Sequence, residues 1–247
     1  GVEGEVLIVK SFDDLEAAGA ARVKGRIVLF NVPYTTYGET VSYRGAGASR
    51  AARLGATAIL LRSVGPPGLR TPHTGALRYD EAQPKIPAAA LPVEDAERLQ
   101  RLHDRGLALR VRLRMEARFL PDASSANLVG EIVGREKPDE IVLVGGHIDS
   151  WDVGMGAMDD GGGCIVTWEA LRLLKKLGLR PRRTVRVVLF TNEENGLRGA
   201  EAYLERHAAA AAKHVLALES DGGVFSPKGF GFSGSEAGLR NSRVIGV

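Results

Sequence analysis

Four clusters of acidic, imidazole and glycine residues punctuate residues 145–221, and each follows or ends an apolar run that reads as a buried strand. They are Gly145-Gly146-His147-Ile148-Asp149-Ser150-Trp151-Asp152, Met158-Asp159-Asp160-Gly161-Gly162-Gly163, Asn192-Glu193-Glu194-Asn195-Gly196 and Glu219-Ser220-Asp221. Open α/β sheets place their chemistry in the crevice outside the carboxyl ends of the strands, so clusters at several strand ends converge on one place. The ligand types make that place a candidate metal site. Imidazole and carboxylate without thiolate suit Zn²⁺ of the catalytic kind or a similar divalent ion, and argue against a Cys-rich structural zinc site or an iron–sulfur cluster. Cys164, the single cysteine, follows the second cluster on a predicted helix, where a small buried apolar role is expected.

The rest of the chain alternates strands with helices. Up to residue 120 the pattern predicts strand 5–10, helix 12–20, strand 26–30, helix 44–54, strand 56–61, a Gly/Pro loop over 64–84, strand 86–91, helix 93–104 and strand 107–116. This is a compact α/β unit without an acid pair or metal spacing. Arg110-Val-Arg112-Leu-Arg114 alternates as the wet face of a half-buried strand does. Residues 121–126 cross into a second region with strand 127–133, a turn over 134–139, strand 141–145, helix 161–177, strand 184–190, helix 197–212 and strand 215–218, and Gly238-Leu239-Arg240 opens a further helix. Such alternation implies an α/β fold with a largely parallel or mixed sheet covered on both faces. In helix 161–177 the core-facing stripe is expected to be Cys164, Trp168, Leu171 and Leu174.

Composition removes several functional classes. A length of 247 residues allows one or two domains, and 44% hydrophobic with 6% aromatic residues fits a globular chain with an aliphatic core. The 33 basic and 30 acidic residues nearly cancel, which gives no ground for a nucleic-acid partner. No apolar run approaches the 18 or so residues of a membrane span. A lone cysteine permits no internal disulfide. Gly161-Gly162-Gly163 lacks the Lys-Ser/Thr or spaced glycines of a phosphate loop, and its glycines instead suit a close approach of backbone to metal-bound carboxylates. The His-Glu-x-x-His helix of other zinc peptidases is absent. The opening Gly1-Val2-Glu3, with neither Met nor a signal-like stretch, reads as a mature or excised segment.

The order His-x-Asp, Asp-Asp-x-x-Gly, Glu-Glu, Asp resembles the co-catalytic zinc exopeptidases that include leucyl aminopeptidases and glutamate carboxypeptidase, and the string from His147 to Gly163 carries the resemblance most specifically. It extends through Ser63, Pro72-His73-Thr74-Gly75, Lys85-Ile86-Pro87 and Gly178-Leu179-Arg180-Pro181. The resemblance implies two zinc ions per site, with His147 a terminal ligand of the first, Asp159 bridging both, Glu194 a ligand of the second, Asp221 a ligand of the first, and Glu193 the general base. These roles are physically coherent: two metals about 3.5–4 Å apart need one shared carboxylate. Adjacent glutamates leave the backbone in different directions, so one can coordinate while the other moves protons. Asp149, two residues beyond His147, fits a supporting carboxylate that receives the second ring N–H of the ligating histidine, with a helix or turn cap as the alternative. The resemblance also implies a cis peptide between Asp159 and Asp160.

By the same resemblance, residues 1–120 are similar to a protease-associated domain, inserted in this family so as to cover the cleft. Residues 121–247 are then the amino-terminal part of the catalytic domain. The family completes its second zinc with a histidine farther downstream, so the chain is expected to be a fragment. None of the other histidines reads as a ligand: His207 and His214 flank an Ala-rich helix, His103 sits on a polar helical face, and His73 lies in a loop where a structural or cleft role is open. The expected activity is zinc-dependent hydrolysis of dipeptides or short peptides with a free terminus. The alternatives are an aminopeptidase of the same family acting on longer peptides, or a non-catalytic receptor-like protein on this fold. The implied setting is extracytoplasmic (secreted, periplasmic or lysosome-like). Peptide is the expected partner, and a homodimer is admitted.

Overall fold

The computed structural model describes residues 1–118, 120–151, 154–226 and 229–245. Asp152, the last residue of the first cluster, lies outside them. The chain divides into two compact units, residues 1–123 and 124–247.

In the first unit, β1 (Val2–Val9), β2 (Ile27–Phe30), β3 (Ala58–Arg62), β4 (Ala88–Leu91) and β5 (Arg110–Leu113) form one sheet in the order β4-β3-β2-β1-β5. The first four strands are parallel and β5 runs antiparallel to β1, so the sheet is mixed. Every residue of β2 is buried, because helices cover both faces. Val28 and Phe30 enter a core with Leu15 of α1 (Phe12–Val23) and Ala48 and Ala51 of α2 (Tyr37–Arg53), whereas Ile27 and Leu29 face Ala96 of α3 (Val93–Asp104). The arginines of β5 lie on its wet side as expected, with Glu3 receiving Arg110 at 3.4 Å and Arg112 at 2.9 Å.

α2 begins seven residues earlier than the apolar periodicity suggests. Thr36 caps it by accepting the Glu39 N–H at 3.4 Å, so capping rather than periodicity sets its start. Gly38, Gly45 and Gly47 weaken it intrinsically, yet packing holds it: a Cβ at Gly47 would come within 3.0 Å of the Phe30 ring.

The second unit has a four-stranded mixed sheet in the order β6-β8-β7-β9, formed by β6 (Leu128–Ile132), β7 (Lys137–His147), β8 (Arg183–Phe190) and β9 (His214–Glu219). β7 is parallel to both β8 and β9, and β6 is antiparallel to β8. The expected turn at 134–139 is shorter, since β7 already pairs with β8 at Lys137 before a bulge. Thr184 secures that irregular start: buried, its hydroxyl accepts from Gly134 N at 3.1 Å and donates to Pro138 O at 2.7 Å.

After a bent segment over Ala157–Gly161, α4 (Gly162–Lys176) lies along β7 and β8. Its buried line is Cys164 and Thr167, with Leu171 packed alongside; Trp168, expected in that stripe, is 57% exposed. The helix is rolled so that Thr167, its hydroxyl donating to Gly163 O at 2.9 Å, faces the sheet in place of Trp168. α5 (Arg198–Arg206) stops six residues short of the expected end. The alanines that follow form 3₁₀ turns, tied by His214 Nδ1 at 3.1 Å from Ala210 O as the chain enters β9. α6 spans Glu236–Ile245.

Thr184→Val preserves shape but strands two backbone groups, and should lower unfolding free energy by about 1–3 kcal/mol, while Thr184→Ser should lose much less. Urea titrations of the three proteins check this, and equal stability of the valine variant would contradict the bridging role.

Candidate metal centre

Parallel pairing aligns three strand ends. His147 is in register with Phe190, and Gly145 with Glu219, so the residues just past β7, β8 and β9 meet at one edge of the sheet. Gly145 and Gly146 allow β7 to run this deep: a Cβ at Gly145 would strike Val188 O, and one at Gly146 would strike the Asp160 carboxylate.

His147 is 1% exposed. Its Nδ1 lies 2.9 Å from the main-chain oxygen of Asp149, and a carbonyl only accepts, so Nδ1 carries hydrogen. That tautomer leaves Nε2 toward Asp159 Oδ1 at 3.1 Å and Asp221 Oδ1 at 3.5 Å. Burial works to lower the His147 pKa, but the Asp149 carbonyl and the carboxylates of Asp221, Asp149 and Glu193 outweigh it and the net shift is upward. One donor atom from each of His147, Asp159 and Asp221 falls within a 4.8 Å group, the spacing a shared cation needs.

The supporting role expected of the Asp149 carboxylate is corrected in detail. Its main-chain oxygen holds the histidine, and the carboxylate is 3.6 Å from Nδ1. The carboxylate oxygens accept instead from Glu193 N at 3.0 Å and Glu194 N at 3.3 Å. Asp149 therefore fixes the imidazole with its backbone and the double-glutamate turn with its side chain. Asn192 enters that turn at φ 60°, a left-handed conformation that asparagine tolerates.

Glu193 and Glu194 point into the same acidic neighbourhood, although Glu194 is not in the 4.8 Å group with the other three candidate ligands. Burial raises the pKa of Glu193, helped by Glu219, Asp149 and Asp159 against the opposing effect of His147. Burial followed by Asp159 raises that of Glu194, whose carboxylate also receives the Trp151 side chain. Asp221 is pushed up to about 6 by burial, then by Asp159. These carboxylates repel one another, and a cation between them relieves it.

One residue has no assigned role in the sequence reading and proves central. Asp160 is 1% exposed, and its carboxylate accepts from His147 N and Gly163 N, each at 3.0 Å. The Asp159–Asp160 peptide is cis, as the resemblance implied. A Cβ at Gly163 would collide with the Asp160 carboxylate and with Ser220 O, so the carboxylate that the glycines admit is Asp160 rather than a candidate ligand. The signal available was an Asp three residues before Gly163 at a helix start, which is capping spacing. Cys164 is buried as expected, its thiol donating to His147 O at 3.0 Å and its pKa pushed up to about 11, chiefly by burial.

The other histidines stand elsewhere. His214 binds Tyr203 Oη at 2.9 Å, the His207 ring packs on Tyr203 at 4.4 Å, His73 lies 3.2 Å from Arg44 Nη1, and His103 is exposed on α3.

Residues 127–245 match the model of Peptidase family M28. Carboxypeptidase Q of Bos taurus is 50% identical over 245 residues, covering 99% of this chain and 51% of that protein. Carboxypeptidase Q of Xenopus laevis is 51% identical over 234 residues, covering 95% and 50%. The crystal structure of a peptidase M28 precursor from Shewanella amazonensis superposes with a TM-score of 0.85 at 38% identity, over 90% of this chain and 52% of that one. The chain spans about half the length of the curated relatives it matches. The residues that match the family model, 127–245, carry every candidate site residue.

Proposed function

We propose that the full-length protein is a zinc-dependent exopeptidase of the carboxypeptidase Q type, hydrolysing dipeptides or short peptides. The observation that carries this reading is the convergence of His147, Asp159 and Asp221 within 4.8 Å, beside a double-glutamate turn held by Asp149. The donor set fits zinc: a buried imidazole in a fixed tautomer, several carboxylates and no thiolate facing it. His147 and Asp221 would hold one ion, Asp159 would bridge, and Glu194 would hold the second. When bound, zinc supplies Lewis acidity, polarising the carbonyl and lowering the pKa of water to about 7.

The chain's own groups do the rest. Glu193 takes the proton from the attacking water and returns it to the leaving amine. Asp149 orients the base by accepting the main-chain N–H groups of Glu193 and Glu194. This clasp favours a catalytic protein over a receptor-like one, which has no use for a positioned base. Residues 1–120 serve in this reading as a protease-associated domain and 121–247 as the amino-terminal part of the catalytic domain. Likeness to carboxypeptidase Q supports an extracytoplasmic setting, and no helix among the described residues is long and apolar enough to cross a membrane.

Dipeptide hydrolysis by the full-length protein should vanish on treatment with a chelator and return with zinc. Undiminished turnover in a metal-free preparation would contradict the proposal.

Base and ligand separate by mutation. Glu193→Gln should keep its zinc and lose about 10²-fold or more in kcat, whereas Glu194→Gln should shed metal. Metal content by mass spectrometry alongside kcat distinguishes them, and equal metal loss in both variants would reverse the assignment.

The raised carboxylate values carry a sign. In the metal-free protein the folded state binds protons on Asp221, Glu193 and Glu194 more tightly than the unfolded chain, so stability rises as pH falls, for Asp221 through about 6. His147 acts the same way, its contribution complete below its ordinary 6.5 and lost as pH rises through its raised value. Metal-free protein should therefore melt higher at about pH 5 than at about pH 8, and saturating zinc should remove or invert the difference. A metal-free melting temperature that rises with pH would show that these groups do not repel as described.

A further inference from the structure

We propose that a cavity in the first unit, between α2 and the loop over 64–84, binds a phosphate group, free or carried on a small organic molecule; this is independent of the peptidase reading. The cavity measures about 550 Å³, within the range that takes a small-molecule ligand. Three of its wall residues are arginines, Arg50 and Arg53 from α2 and Arg78 from the loop. Ala46, Ser49, Arg50 and Arg53 follow the i, i+3, i+4, i+7 spacing of a single helix face. The last turn of a helix favours cations, which accounts for Arg50 and Arg53 but not for Arg78. Arg78 is brought over the same face by a pinned backbone. Its N–H donates to Gly45 O at 3.0 Å, Asp80 N donates to Ser49 Oγ at 2.8 Å, and the Tyr79 hydroxyl donates to Ile86 O at 2.7 Å.

The charges in this wall are incompletely neutralised. Neither Arg50 nor Arg78 forms an ion pair among the described residues. The Arg50 guanidinium instead lies 4.0 Å from the centroid of the Phe12 ring, which is itself stacked on Tyr43 with centroids 4.3 Å apart. Stacking takes the face of a guanidinium and leaves its edge N–H groups to donate. Arg53 pairs with Glu16, and the wall carboxylate Asp80 has one oxygen engaged by Ala82 N at 2.9 Å. Ser49 is buried, and its hydroxyl hydrogen, unlike its oxygen, has no partner among the described residues. Positive groups thus outnumber negative ones around a space that also holds a spare hydroxyl donor. Planar guanidinium forks recognise phosphate bidentately, and a phosphate monoester brings about −1.5 to −2 charge and three acceptor oxygens to meet them.

Calorimetric titration of the full-length, zinc-loaded protein with phenyl phosphate, inorganic phosphate, benzoate and phenol tests the site. Phenyl phosphate should bind with a Kd of about 1 mM or tighter, about tenfold or more tighter than benzoate, and phenol should not bind. Phenyl phosphate binding more tightly than inorganic phosphate upholds the site with an organic phosphate as its ligand, and equal affinity upholds it with the free ion. Arg78 is exposed, so Arg78→Ala should fold and should weaken phenyl phosphate by about tenfold or more, with Arg78→Lys losing less. Arg50→Gln should weaken it to a similar degree, and Ala-Ala turnover should stay within about twofold of wild type in every variant. No binding of either phosphate up to about 10 mM, or benzoate binding as tightly as phenyl phosphate, overturns the proposal. Phosphate binding unchanged in both Arg78→Ala and Arg50→Gln also overturns it, and competitive inhibition of Ala-Ala hydrolysis would then put the anion on the metals. Absence of dipeptide cleavage alongside the expected binding would sink the peptidase reading and leave this site standing.

Discussion

The buried carboxylate of Asp160 holds the end of β7 to the beginning of α4. It accepts the main-chain N–H of His147 on one side and of Gly163 on the other. An uncompensated charge in an apolar interior is costly, and both of these bonds favour its ionised form against a burial that disfavours it. The local glycine pattern follows from its position, since side chains at Gly146 or Gly163 would occupy its place. With the strand end fixed in this way, the imidazole of His147 stands at the sheet edge, and Asp159 is set beside it.

A second carboxylate, Asp149, fixes what Asp160 does not. It reaches across to the turn after β8 and holds two consecutive main-chain N–H groups there, while its carbonyl sets the histidine tautomer. The acids thus divide into two that bind backbone and four that face outward. Burial first, and repulsion among the outward groups second, displaces Asp221, Glu193 and Glu194 upward. Repulsion of this kind is stored in the metal-free fold and released on binding, so metal affinity and fold stability are linked quantities.

Much of this was legible from residue order. The four clusters, each at a strand end, are enough to predict a shared edge, because parallel strands bring their carboxyl ends together. Helix 93–104 and the wet arginines of β5 follow from periodicity alone. What periodicity could not give was governed by single polar contacts. Thr36 and Glu39 start α2 before its apolar pattern begins, and Thr184 ties down a strand start that reads as a turn. Trp168 is the instructive case: hydrophobicity placed it inside, whereas the roll of α4 follows from the close approach of Gly163 and Cys164 to β7, which turns Thr167 inward. Asp160 was obscured by its neighbour, since the resemblance gives a role to Asp159 and only the capping distance to Gly163 marks the second aspartate as the one that faces the backbone.

The central claim is that one sheet edge gathers His147, Asp159, Glu194 and Asp221 around a pair of metal ions, with Glu193 left free to move protons. Anomalous diffraction at the zinc absorption edge, from crystals of the full-length protein grown with zinc, addresses it directly. The account predicts two peaks about 3.5–4 Å apart with Asp159 between them, His147 and Asp221 at one, Glu194 at the other, and Glu193 bound to neither. A single peak, or a peak ligated by Glu193 in place of Glu194, would contradict it.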